Sequence, residues 1–129
     1  MTQATVRKPR PKFLALHEIR LPLPGIVSIL HRVSGAGLFL FLPFLLYLFD
    51  RSLGSPDSFA AYQSVVANPL VKIILLGLLW AYLHHFCAGI RFLFLDLNKG
   101  VDLQAARSSS RIVLVVSIAL TVIIGAKLW

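Results

Sequence analysis

Histidine and arginine stand at two places in this chain where ionisable residues are costly. His31 adjoins Arg32 near the start of one long apolar run, and His84 adjoins His85 in the middle of another. Charged and titratable groups within such runs need partners, so each pair marks a site by default. A neutral imidazole is a strong axial ligand for haem iron, and low-dielectric walls tune the potential of iron so held. Guanidinium groups and ring N–H groups suit oxygen acceptors, whether haem propionates or a quinone carbonyl. Cys87 is the single cysteine, and no glycine-rich nucleotide motif occurs. Flavin and iron–sulfur chemistry therefore lie outside what these residues can support.

The spacing around each pair is that of a helix face. At 3.6 residues per turn Gly25, Ser28, Arg32, Gly35 and Phe39 share one narrow side, suited to close packing against another helix or a cofactor. Gly77, Ala81, Ala88 and Gly89 cluster on one side of the second run, with His84 and His85 flanking them. Small side chains let a flat macrocycle approach a helix backbone. Wheel geometry does not separate the two histidines as ligand candidates. Hydrogen bonding of both to a neighbouring helix is the structural alternative, as is an Arg32 that reaches to lipid headgroups with His31 beside it.

The elements that must position these residues are membrane helices. The chain has 129 residues, is 57% hydrophobic and only 14% charged, against roughly 45–50% and 25% in soluble domains. Apolar segments at about 25–49, 69–97 and 111–129 each approach the roughly 20 residues that cross a bilayer. Pro43 is tolerable as a kink in lipid. Residues 1–24 form a basic tail with an interfacial turn at Phe13-Leu14-Ala15-Leu16, and 25–129 form the transmembrane domain. The fold class is all-α, an integral membrane protein of three transmembrane helices that takes part in a multi-subunit bundle.

The net charge of +8 invites a nucleic-acid reading, but its placement argues for topology instead. Arg7, Lys8, Arg10, Lys12, Arg20, Arg32, Arg91, Lys99, Arg107 and Arg111 fall on one side of a three-crossing layout. Only Arg51, Lys72 and Lys127 fall on the other. The positive-inside rule puts the amino terminus in the cytoplasm or matrix. Antiparallel crossing then brings the Ser28–His31–Arg32 cluster to the height of the His84–His85 pair, with Arg91 nearby to join Arg32 in meeting propionates or a quinone. The last segment carries no histidine, so a second iron ligand has to come from another subunit. Asp50 and Asp96 lie near segment ends, which disfavours a proton-coupled transporter.

Two motifs carry a family resemblance. Ser28-Ile29-Leu30-His31-Arg32-Val33-Ser34-Gly35 resembles the Ser-Ile-x-His-Arg-x-Ser/Thr-Gly entry to the first helix of succinate dehydrogenase cytochrome b subunits. His85-Phe86-Cys87-Ala88-Gly89-Ile90-Arg91 with Asp96 resembles that family's second signature. The resemblance implies a b-type haem with His85 as axial ligand, since His84 falls outside the motif spacing. It implies His31 and Arg32 at the haem propionates, and Ser28 and Arg32 at a ubiquinone pocket. It further implies a flavoprotein, an iron–sulfur subunit and a second membrane anchor as partners, in a bacterial inner membrane within the tricarboxylic acid cycle and electron transport. Family members often carry a second histidine after Gly-Ile-Arg, where this chain has Phe92. The alternatives are the anchor of a quinol:fumarate reductase and, from another class, a small transporter or assembly protein.

Overall fold

The computed structural model describes residues 18–129, so the interfacial turn expected at 13–16 and most of the basic tail lie outside the described residues. Helix α1 runs Leu23–Leu53, α2 Pro56–Ala67, α3 Pro69–Asp96 and α4 Leu103–Leu128. The three long helices are long and apolar enough to cross a membrane, as the hydropathy pattern predicts.

Each start has a local cause. Pro22 is extended at φ −67 ψ 156 and its carbonyl accepts from Gly25 N and Ile26 N at 2.9 and 3.1 Å, while Pro24 occupies the first turn, where no N–H is needed. At 31 residues α1 is roughly 46 Å long at 1.5 Å per residue. That exceeds a bilayer core, so α1 must tilt or project. Pro43 is absorbed without a break in the helix.

Helix α2, with 12 residues, was not expected from hydropathy and is too short to cross. Its signals are polar: the Ser55 side chain accepts from Ser58 N at 3.3 Å, Pro56 follows and Asp57 sits in the first turn. Asn68 both ends α2 and caps α3, its Oδ1 accepting from Leu70 N at 2.9 Å. Helix α4 begins eight residues before Arg111 because the Asp102 carboxylate accepts from Ala105 N at 3.0 Å. Between α3 and α4, Asn98 at φ 56 and Gly100 at φ 72 make the left-handed turn that reverses the chain.

The packed interior is small and its rim apolar. Val27, Ala88 and Val113 form one cluster contributed by α1, α3 and α4. Ser34, His84, Arg91, Ser110, Ser117 and Thr121 are also buried, while Phe39, Leu40, Val115 and Val122 are exposed. This is the pattern expected where lipid is the outer solvent. Ser110, Val113, Ser117, Thr121 and Gly125 line the inward stripe of α4. Their hydroxyls bond back to carbonyls of their own helix, Ser110 to Ala106 and Thr121 to Ser117 at 2.7 Å each, so the stripe is satisfied internally and narrow enough for close approach.

Candidate functional site

Helices α1 and α3 cross with the His31 turn against the His85 turn. The two imidazole rings stack with centroids 4.1 Å apart and planes 8° from parallel. Ser34, one turn beyond His31, donates its hydroxyl proton to the His31 carbonyl at 2.9 Å. His85 Nδ1 lies 3.0 Å from that carbonyl and 3.2 Å from Ser34 Oγ. A carbonyl only accepts, and the Ser34 proton is already directed at it. The proton shared among these atoms is therefore assigned to His85 Nδ1, which donates to the carbonyl with Ser34 Oγ as second acceptor. Nε2 is left as the lone-pair nitrogen, without a hydrogen bond among the described residues, on a half-buried ring.

Glycine at two positions makes this approach possible. A Cβ at Gly35 would stand 2.8 Å from His85 Cε1 and 3.2 Å from Nδ1, and one at Gly89 would stand 3.7 Å from His31 Nε2. Phe92 also packs against His31, with ring centroids 5.1 Å apart and planes tilted by 57°. Gly77, by contrast, faces open space, so the small-residue cluster of α3 divides and only part of it packs.

Adjacent histidines have opposite situations. His84 is fully buried, and the Val27 carbonyl of α1 stands beside its ring without meeting either nitrogen in good hydrogen-bond geometry. Its neighbour is the Trp80 ring, 5.3 Å away. His85 sits a hundred degrees around the helix, at the bundle's rim. Ser28 is half-buried and Arg32 exposed on α1 within one turn of His31, and the contacts that join this end of α1 to His85 are made by His31 and Ser34.

Arg91 is not brought there. Roughly 120° around α3 from His85, it is 7% exposed and turned to α4, where Nε donates to Ser109 Oγ at 2.9 Å and Nη2 to the Ala106 carbonyl at 3.4 Å. The expectation that Arg91 joins Arg32 at a common ligand is corrected by these contacts. Ser109 and the start of α4, which supply them, were missed by sequence reasoning because Asp102 was not read as a helix cap. No group of three or more metal-ligating side chains gathers among the described residues.

Fold and rim together define a multi-pass helical protein, with three helices long and apolar enough to cross a membrane and His85 tethered through Nδ1 at the α1–α3 contact. Comparison with known proteins gives that class a family. The model for the succinate dehydrogenase/fumarate reductase transmembrane subunit matches residues 6–124. The succinate dehydrogenase cytochrome b556 subunit of Coxiella burnetii is 37% identical over 121 residues, covering 93% of this chain and 97% of the relative. That of Paracoccus denitrificans is 35% identical, covering 88% of each. That of Rickettsia felis is 29% identical, covering 95% and 96%. The chain belongs to this family, as a membrane subunit of a succinate dehydrogenase complex.

Proposed function

We propose that this subunit ligates a b-type haem through His85 and forms part of the ubiquinone-reduction site with Ser28 and Arg32, with His31 and Arg32 facing the haem propionates. The observation that carries the reading is the one-ended tethering of His85, Nδ1 committed at 3.0 Å to the His31 carbonyl and Nε2 uncommitted. Metal-bound histidines characteristically donate their second nitrogen to such an acceptor, which fixes the tautomer and the ring direction. His84 lacks this arrangement, being sealed inside the bundle. The name cytochrome b556, carried by the relatives, agrees with a haem of this type.

Haem, when bound, supplies a one-electron centre; everything else falls to this chain's side chains. The His31 carbonyl and Ser34 hold the ligand ring, the His31 ring covers one of its faces, and Gly35 leaves room for its edge. Arg32 offers a charge-assisted donor to propionate or quinone oxygen, and the Ser28 hydroxyl offers a neutral donor one turn away. His85 would be this chain's one ligand to the haem, and a second membrane anchor would supply any further ligand. Succinate is oxidised in a flavoprotein and electrons reach the quinone through an iron–sulfur subunit docked on the basic side of the membrane. By the positive-inside rule that side is the cytoplasm, with the amino terminus of this chain in it and the bundle in a bacterial inner membrane.

The purified complex tests this directly. His85→Ala is expected to abolish the dithionite-reduced b-type band, and His84→Ala to keep it; equal loss from both, with all subunits present, would remove the ligand assignment. Ser28→Ala and Arg32→Leu are expected to lower succinate:quinone activity while succinate oxidation by an artificial acceptor persists. Undiminished quinone reduction in both variants would exclude these residues from the pocket.

A further inference from the structure

Arg91 raises a problem that the histidine rim does not solve. It is a buried cation, 7% exposed, in a helix that crosses the membrane. Two of its five N–H donors are used, by Ser109 Oγ and the Ala106 carbonyl. Neither acceptor carries charge, and no ion pair joins Arg91 to a carboxylate among the described residues. The Phe92 ring at 5.5 Å from its guanidinium carbon contributes only a weak attraction. A cation at this depth calls for a counter-charge. Its two bonded donors point to α4 rather than to the His85 side of α3.

The direction leads instead into a groove of about 460 Å³ between the end of α3 and the start of α4, within the range of roughly 300–1,000 Å³ usual for ligand sites. Two cations, Arg91 and Lys99, line it together with Ser109, and no carboxylate does. Asp102 is occupied at the α4 cap. The Lys99 backbone is fixed in the left-handed turn by its N–H bond to the Phe94 carbonyl at 3.0 Å. The remaining walls, among them Phe94, Ile112 and Val116, are apolar. Phe94 and Ile112 are 54% and 61% exposed, so the trough opens sideways to the membrane interior. Two cationic residues in the lining of an otherwise apolar trough suit an anion with a hydrocarbon tail.

We propose that the α3–α4 groove is a binding site for an anionic phospholipid, its phosphate group at Arg91 and Lys99 and one acyl chain along Ile112 and Val116. The bound phosphate supplies the counter-charge that Arg91 lacks within the chain. The site is independent of the haem and quinone reading and stands or falls separately from it.

The test uses the intact complex in mild detergent, supplemented with equal amounts of phosphatidylglycerol and phosphatidylcholine, with retained lipid counted by native mass spectrometry. Wild type is expected to retain phosphatidylglycerol in preference. Lys99→Glu removes and reverses one headgroup-level charge, each step about fivefold, so retention of the anionic lipid should fall roughly 25-fold. Ile112→Trp, filling the trough from an exposed position, should lower retention of that lipid without altering subunit content. Equal retention of the two lipids by wild type, or undiminished phosphatidylglycerol in both variants, overturns the proposal. So does a carbodiimide cross-link from Lys99 to a neighbouring subunit's carboxylate in lipid-free complex, which would assign the groove to protein.

Discussion

Helix α3 serves two interfaces that handle polar groups in opposite ways. Toward α1 it presents His85, tethered at Nδ1 and uncommitted at Nε2, in a pocket shaped by Ser34 and Gly35. Toward α4 it meets a stripe of serine, threonine and glycine whose hydroxyls are satisfied by their own helix. From Ser110 to Gly125 the second interface is a packing device, in which small residues permit close approach, and a polar contact crosses it at the start of α4, where Ser109 accepts from Arg91. The first is deliberately incomplete. The proposed haem site requires that of one subunit alone, since the rest of its interactions would come from other molecules. His84, between the two, is buried beside the Val27 carbonyl with no close hydrogen bond to either ring nitrogen, and it is the group whose removal best separates packing from function.

The largest effect should come from Gly35→Val. The added Cβ meets His85 Cε1 at 2.8 Å, and the ring, stacked on His31 on one face, cannot retreat without leaving the carbonyl that orients it. The expected outcome is near-complete loss of the reduced b-type band while the complex still assembles. Gly37→Val is the control, since a Cβ there meets nothing within 4 Å; a normal band in Gly35→Val would show that the α1 approach does not hold the ligand. On the other interface, Ser109→Ala leaves the buried Arg91 Nε donor unpaired, at a cost of about 1–3 kcal/mol, read as a lower thermal transition with the haem spectrum unchanged. A spectral change there instead would mean that the two interfaces are coupled.

Much of this was legible in sequence, for reasons that also explain what was not. The three crossings follow from residue-scale hydropathy, which has no competitor in segments such as Ile112–Val116. The meeting of His31 with His85 follows from helical rise and antiparallel crossing alone. Direction around the helix was harder. Arg91 was expected beside Arg32, but six residues of α3 turn it away from His85, and only the early start of α4 reveals what it faces. That start and the whole of α2 are specified by caps, Asp102 in one case and Ser55-Pro56-Asp57 in the other. Hydropathy is silent where a polar cap begins a helix. The two histidines could not be separated by wheel position, because a hundred degrees divides core from rim only once the positions of α1 and α4 are known.

His84→Leu sharpens the comparison from the middle. A fully buried imidazole whose backbone neighbour, the Val27 carbonyl, is met in poor geometry recovers little of its desolvation cost, so an apolar side chain of similar volume should be neutral or stabilising. The thermal transition of the complex is expected to hold or rise and the b-type band to persist; a fall would mean that the Val27 contact, or one made in the assembled complex, outweighs that cost.

The smallest expected effect tests the finest feature of the rim. Ser34→Ala removes the second acceptor near His85 Nδ1, at 3.2 Å, but leaves the closer His31 carbonyl at 3.0 Å. The ring should keep its tautomer and its iron, so the band persists at full intensity. The loss is one shared hydrogen bond, about 0.5–1.5 kcal/mol. If both oxidation states feel it equally, it appears only as weaker haem retention. If the hydrogen bond strengthens as Nδ1–H becomes more acidic in the ferric state, removing it favours the ferrous state and the midpoint potential rises. A potentiometric titration separates the two, and Ser34→Thr, which restores the hydroxyl, should return the wild-type value. A Ser34→Ala shift that Ser34→Thr does not reverse would trace to helix packing, and the carbonyl of His31 would then stand as the sole determinant of the ligand's direction.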